Sequence, residues 1–398
     1  MKILIITPRI PYPPYRGDKL KIFNLSKELI KRNQVKIISF IASSSEKDDL
    51  LNLKNNGIDL EVVPHSRFKG WINMLRAFIS KTPLQVSYYY SKKMCKKIQE
   101  ISSAGKYDVV YFHLINSAQY CDCVAHQGAL KVIDFTDASS LYMTRYAEFL
   151  RNPFRKYIFM KEAKRVLAYE NITQKFDTLF VCSDNDRQFL SKRKVHKNIQ
   201  LLLNGIDLNT FQYEKIQKEK GRIIFAGNMS YFPNIEAVQY FAKEIFPLVL
   251  SRVPFAKFYI VGQQPPQEIL SLQSANIVVT GFVKDLRIEY LLSEVNVAPI
   301  QFGSGTLNKI IEAMALGVPT VATSLAVQGL PDKFKKYIYI EDSVEKFAEN
   351  IARIMETGNY ENELLKDGMN EIKNSLSWDK IAGNLEKYLS EKIKMNKN

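Results

Sequence analysis

Gly303-Ser304-Gly305-Thr306-Leu307-Asn308-Lys309-Ile310-Ile311-Glu312-Ala313-Met314-Ala315-Leu316-Gly317-Val318-Pro319-Thr320-Val321-Ala322-Thr323 follows the apolar run Val295 to Ile300 and reads as strand end, glycine turn, helix and second strand. Gly303 and Gly305 let the backbone turn so that the amides opening the helix face outward, as an anion site requires. Lys309 and Glu312 stand three apart and share a helix face. A cation for a diphosphate and a carboxylate for ribose hydroxyls are then offered side by side. The competing reading of that pair is a solvated surface ion pair. Gly317 and Val318-Pro319 close the helix and start a buried strand.

Working outward, the same strand-then-turn unit recurs along the chain. Before the middle, runs at Ile3 to Thr7, Val35 to Phe40, Leu60 to Val63, Val109 to Leu114, Lys131 to Thr136, Thr178 to Ser183 and Ile199 to Asn204 have buried-strand character. After it come Arg222 to Ala226, Lys257 to Val261, Ile277 to Thr280, Val295 to Ile300, Val318 to Thr323 and Tyr337 to Ile340. Helical patterns separate many of them, which predicts an α/β chain of doubly wound sheets. A chain of 398 residues, 46% of them hydrophobic, accommodates two cores more readily than one. Residues 1–205 are expected to form one Rossmann-like domain and 206–376 a second. Between them, 208–221 reads as an exposed linker rich in Gln and Lys.

Candidate ligand residues fall where these strands end. Ile3 to Thr7 feeds a proline-stiffened loop ending in Arg16, Gly17 and Asp18; Arg16 and Asp18 are ligand contacts or, alternatively, solvated loop groups with Asp18 as a helix N-cap. Val109 to Phe112 delivers His113, which by itself reads as a structural histidine as readily as a functional one. Asp134 and Asp137 lie at the next strand end, fit either to orient and deprotonate a hydroxyl or to serve as turn and capping groups. In the second half, Gly227 with Asn228, Gly262, and Gly281 followed by Phe282 and Val283 close successive strands along one sheet edge.

Composition sets further bounds. Lys and Arg total 56 against 41 acidic residues, a net charge of +15, which favours an anionic partner. From Arg67 to Lys97 there are eight basic residues and no acidic one. Within it Trp71, Ile72, Met74, Leu75, Phe78 and Ile79 follow helical spacing. That segment is either an ordinary helix with its apolar stripe in the core or a surface resting on an anionic membrane. The four cysteines show neither metal spacing nor a disulfide framework, and with four histidines no metal site is expected. A cytoplasmic protein, peripheral to the inner membrane face at most, fits this composition.

The string from Gly305 through Thr323 resembles the donor-binding segment of family-4 glycosyltransferases of the GT-B fold, especially bacterial sugar transferases of exopolysaccharide and PEP-CTERM-associated clusters. Asn204-Gly205-Ile206-Asp207 resembles the family's domain junction, Val132 to Ser140 a segment of the bacterial subgroup, and Ser377 to Leu389 its final helix. The resemblance implies two domains facing across a cleft, with residues 377–395 returning to the first. It implies transfer of a sugar from a nucleotide-diphosphate donor, UDP- or GDP-linked, to a glycan or lipid-linked acceptor. Retention of anomeric configuration, no metal and no cofactor are implied too, with the leaving diphosphate helping to deprotonate the acceptor. By the same token Gly305, Thr306, Lys309 and Gly227 lie at the diphosphate, Ser304 stands where the family contacts the donor sugar, and Gly303, Asn228 and Gly262 are further donor contacts. Glu312 holds the ribose, the 281–283 turn receives the base, and His113 lies at the reacting sugar.

Two departures stand out. Ser304 occupies the position of the family's first glutamate, and Asn228-Met229 replaces the arginine after the first turn, leaving Lys309 to supply the positive charge. A two-domain sugar-nucleotide epimerase and a non-enzymatic binder of anions or nucleic acid are the alternatives. No Gly-x-Gly-x-x-Gly follows either opening strand, against a dinucleotide oxidoreductase, and nucleic acid is not expected as a partner.

Overall fold

The computed structural model describes the chain except residues 44–45, 126–127, 304–307, 359–362 and 398. It divides into two compact units, Met1–Leu203 with Trp378–Asn398, and Asn204–Ser377. No helix among the described residues is long and apolar enough to cross a membrane.

In unit 1 the strands are β1 (Lys2–Thr7), β2 (Gln34–Ile41), β3 (Asp59–Pro64), β4 (Val109–His113), β5 (Leu130–Thr136), β6 (Thr178–Val181) and β7 (Ile199–Leu201). They form one sheet in the order β3-β2-β1-β4-β5-β6-β7, every pairing parallel. Sheets covered on both faces bury most residues of their central strands, and for that reason the central segments are rich in apolar residues. Ile3 to Ile6, for example, are all buried. The helices that matter below are α1 (Gly17–Leu29), α2 (Arg67–Ala77), α3 (Lys92–Ala104), α4 (Ser139–Phe149) and α5 (Pro153–Tyr169).

Unit 2 carries β8 (Arg222–Ala226), β9 (Lys257–Val261), β10 (Ile277–Gly281), β11 (Val295–Ala298), β12 (Thr320–Ala322) and β13 (Tyr339–Ile340), with α6 (Phe232–Tyr240) and α7 (Asn308–Ala315) among its helices. The order is β10-β9-β8-β11-β12-β13, again all parallel. One layer of its core is a group of phenylalanines: Phe241 lies 4.5 Å from Phe258, ring centre to ring centre, and packs against Phe246 and Phe347. Residues 208–220 are mostly exposed but anchored. Phe211 and Ile216 pack on the unit 2 core, and Lys218 donates to the Ser293 carbonyl at 2.7 Å.

The final helix, α8 (Trp378–Lys397), belongs to unit 1. Its Tyr388 hydroxyl meets Thr178 at 3.0 Å and accepts from Asn198 at 2.8 Å, while Glu386 pairs with Arg32 at 2.7 Å.

Three expectations need correction. Cys95 and Cys123 form a disulfide with Cα atoms 5.3 Å apart, leaving Cys121 and Cys182 as buried thiols. The 115–123 turn packs on α3 and brings the two together, which a separation of 28 residues conceals. Asp18 is not an N-cap, because α1 starts one residue earlier and Asp18 sits inside its first turn. The apolar stripe of α2 does not enter the core. Its fully buried residues are Gly70 and Ala77, with Ile72 and Met74 half-buried, while Trp71 and Leu75 are exposed, as are Phe78 and Ile79 just beyond it. A Cβ on Gly70 would meet the Tyr88 ring at 2.6 Å, so the small residue is what lets the helix lie this close.

Candidate active site

In a doubly wound sheet the strand order reverses at one point, where the connections after two neighbouring strands run to opposite faces and leave a crevice at their carboxyl ends. Unit 1 reverses between β1 and β4, and unit 2 between β8 and β11. The candidates His113 and Asp18 lie at the first of these edges and Gly227 and Lys309 at the second.

At the unit 1 edge, the loop after β1 returns Arg9 and Arg16 to the Asp18 carboxylate. Burial would raise the pKa of Asp18, but the two guanidiniums outweigh it and hold the group below its ordinary value. Gly17 opens α1, with open space where a Cβ would stand. His113 Nε2 lies 3.1 Å from the Asp18 carbonyl oxygen, and Nδ1 stands 3.6 Å from Asp134.

Asp134 is wholly enclosed. Lys21, on α1, reaches it with Nζ at 2.9 Å, Tyr111 donates its hydroxyl at 2.6 Å, and the Thr136 amide donates at 2.8 Å. Lys21 also donates to the Leu202 carbonyl at 3.0 Å. Burial favours the protonated acid, yet Lys21 and these donors reverse the balance and keep Asp134 ionised far into the acid range. At 0% exposure it has no surface to present to a ligand, so the geometry suits it to holding His113 and the strand end.

Asp137 differs. Burial and neighbouring Asp186 push it up to about 7, and the Cys182 thiol donates to it at 3.2 Å. Asp137, Cys182 and Asp186 bring three ligand-type atoms within 4.8 Å of one another. Asp186 already accepts from the Ala138 amide and the Ser183 hydroxyl, as in a capping network.

The unit 2 edge is built on touching backbones. A Cβ on Gly262 would lie 1.7 Å from the Gly227 carbonyl oxygen, and the Gly262 amide donates to the Gly281 carbonyl at 3.0 Å. Only glycine at 262 permits the first two turns to pack this closely. In the third turn Phe282 is exposed, whereas Val283 packs on the core. Gly303 follows β11 at the neighbouring strand end; Ser304, Gly305 and Thr306 lie outside the described residues.

Lys309 and Glu312 are no solvated pair. Lys309 Nζ donates to Asn234 Oδ1 at 2.8 Å and lies 3.5 Å from the centre of the Phe225 ring. Asn234, on α6, turns its Nδ2 to the Asn228 carbonyl at 2.9 Å and so ties the ammonium to the first glycine turn. Glu312 accepts from the buried Tyr290 hydroxyl at 2.9 Å. Burial pulls Lys309 down to about 7 and pushes Glu312 up to about 7, each only partly offset by the other.

Four residues at these edges escaped sequence reasoning: Arg9, Lys21, Asn234 and Tyr290. Lys21 left a trace, since it stands four before Leu25 on the apolar face of α1, where a lysine requires a buried acid. Arg9, Asn234 and Tyr290 left none.

Residues 220–357 match the model of the family described as glycosyl transferases group 1. That match lies within unit 2, and over nearly its whole length the chain takes the two-domain GT-B fold. Among particular proteins, it is 21% identical over 388 residues, 93% of each chain, to an uncharacterized 44.6 kDa protein in the cps region of Klebsiella pneumoniae. Over 98% of its length it is similar to Anabaena HepE in complex with UDP, at 14% identity and TM-score 0.69, covering 100% of that chain. A mutant of S. aureus TarM in complex with fondaparinux, α-GlcNAc-glycerol and UDP gives 13% identity and TM-score 0.69, with 98% and 99% of the two chains covered. Sucrose-phosphate synthase from Thermosynechococcus elongatus gives 14% and 0.66, with 98% and 99% covered.

Proposed function

We propose that the chain transfers a sugar from a nucleotide-diphosphate donor to a hydroxyl of a glycan or lipid-linked acceptor during bacterial surface polysaccharide assembly. The observation that carries this reading is the Lys309–Asn234 and Glu312–Tyr290 arrangement at the β8/β11 edge, within the residues that match group 1 glycosyl transferases. The UDP complexes of HepE and TarM and the cps-region relative support it.

In this reading unit 2 holds the donor and unit 1 the acceptor. Lys309 faces the diphosphate, bordered by Gly227, Asn228, Gly262 and residues 303–306. Glu312 takes the ribose hydroxyls, and the 281–283 turn takes the base. Negative charge grows on the diphosphate as the sugar C1–O bond breaks, so a cation already aimed there lowers the barrier. The acceptor oxygen bonds C1 on the same face, its proton passes to the departing diphosphate oxygen, and no metal or cofactor takes part. His113, positioned by Asp134, contacts the reacting sugar, with Arg16, Gly17 and Asp18 beside it and Asp137 toward the acceptor. The protein works in the cytoplasm at the inner membrane face, with residues 67–97 against anionic lipid.

The test is incubation with a panel of nucleotide-sugars and membrane lipid extract, comparing the intact chain with Lys309→Ala and Glu312→Ala. At least about tenfold weaker donor use, roughly 1.4 kcal/mol, is expected for each. If neither substitution reaches that, the donor site is elsewhere; epimerised donor formed without acceptor would replace transfer by the epimerase reading.

A further inference from the structure

The turn joining α4 to α5 is the most consistently exposed part of unit 1 outside α2. Every residue from 151 to 157 is exposed, including Phe154 at 72% and Tyr157 at 65%. This is an ordered turn, with Asn152 capping α5 by accepting from the Arg155 amide at 3.0 Å and Pro153 opening the helix. Phe154, Tyr157, Lys161 and Lys164 follow one another at three- and four-residue spacing, so two rings and two ammoniums share an outward face. Arg151, Arg155 and Lys156, also exposed, stand next to the rings in sequence.

From 151 to 169 there are six cationic residues and a single acid, Glu162. That acid is spent internally, accepting from the Leu84 amide and pairing with Arg165 at 3.5 Å. Arg165 in turn donates to the Phe78 carbonyl at 2.7 Å. The helix is thereby fastened to the segment that follows α2, which itself exposes Trp71 at 60% and Ile79 at 95%. Two exposed aromatic, cationic segments on one unit are thus linked by direct bonds. Rings flanked by cations match the boundary between acyl chains and anionic headgroups, where both groups are satisfied at once.

We infer that the α4–α5 turn is a second membrane contact, inserting Phe154 and Tyr157 at the headgroup level of an anionic bilayer while Arg151, Arg155 and Lys156 engage lipid phosphates. This deepens the reading of residues 67–97 as membrane-facing and rests on it.

Vesicle co-sedimentation of the full chain tests it, with phosphatidylcholine vesicles containing or lacking phosphatidylglycerol. Phe154→Ser with Tyr157→Ser is expected to weaken partition onto the anionic vesicles about tenfold or more. Arg151→Gln, Arg155→Gln and Lys156→Gln together should remove most of the preference for anionic over neutral vesicles. Transfer to a soluble acceptor should remain unchanged in both. Phe154→Trp in a Trp71→Phe background should be quenched by brominated lipid, an outcome that requires insertion and does not depend on any loss of binding. Partition lost only with Trp71→Ser and Leu75→Ser, with the turn variants unaffected, overturns the inference and leaves the 67–97 reading standing. Failure of the unsubstituted chain to bind any vesicle overturns both, as does binding to an acidic polysaccharide or nucleic acid through the same residues without vesicle binding.

Discussion

At the β1/β4 edge Lys21 meets Asp134 directly, at 2.9 Å, with Tyr111 and Thr136 supplying the remaining donors to the carboxylate. At the β8/β11 edge Lys309 and Glu312 share a helix yet bond to neutral partners, Asn234 and Tyr290. The first arrangement commits its charges to each other and keeps Asp134 ionised. The second leaves a cation and an acid both near about 7, each destabilised by burial. Equivalent places in two sheets of the same type therefore serve different ends: one stiffens a strand end, and the other stores an unmet demand for a counter-charge.

The sharpest way to break this contrast is Lys21→Met, which strands a buried carboxylate. A loss of about 3–5 kcal/mol is expected, largely recovered by adding Asp134→Asn. Both tryptophans, Trp71 and Trp378, lie in unit 1, so tryptophan fluorescence during urea unfolding follows that unit alone. A transition unmoved by Lys21→Met would mean that the pair contributes nothing to unit 1. Lys309→Met should do the reverse, weakening nucleotide-diphosphate binding by calorimetry at least about tenfold, or about 1.4 kcal/mol. The fluorescence transition should stay where it is. Folding of unit 2 should be unharmed or improved, since a buried ammonium has been removed.

The pH dependence sharpens the contrast further. Asp134 is depressed in the fold, so its contribution is present above the ordinary carboxylate range and is lost as pH falls below it. Lys309 sits at about 7 against an ordinary 10.5, so the unfolded chain holds more protons between those values and unit 2 gains stability as pH rises through that window. Glu312 sits at about 7 against 4.5, so its contribution falls as pH rises between them. Unit 2 should show a shallow stability minimum near about 7 by far-ultraviolet dichroism, absent from the tryptophan signal. Nucleotide-diphosphate affinity should decline as pH rises through the same value, because the ammonium is the binding form. The smallest expected effect is that of Asn234→Ala, which frees Lys309 from the first glycine turn; it should weaken that affinity severalfold, about 1 kcal/mol.

Most strand positions were legible, because a strand buried on both faces is made chiefly of apolar residues and ends in a turn. Spacing could not say which way the 67–77 helix faces, since an outward stripe and an inward one have the same period. Only the small residues Gly70 and Ala77, read against the large ones, carry that information. At the site, Lys309 and Glu312 were legible as a pair because a helix brings them together locally. Their partners were not, because Asn234 lies 75 residues from Lys309 and the fold alone makes them neighbours. The same holds for Lys21 and Asp134, 113 residues apart, and for the Cys95–Cys123 bridge.

Because α8 completes unit 1 after the whole of unit 2 has been laid down, the molecule is assembled out of order. A ribosome releases every residue of the 204–377 body before it supplies the helix that Thr178, Asn198 and Arg32 await. The nascent amino-terminal body must persist through that interval with the α8-facing side of α1 bare. Where the chain enters and leaves the later body, the Ile206 amide bonds to the Leu376 carbonyl at 2.8 Å, so its two ends emerge side by side. That body is therefore a natural cassette: excised at these neighbouring ends, it should fold during synthesis without its host, whereas the host cannot finish until the cassette has been made.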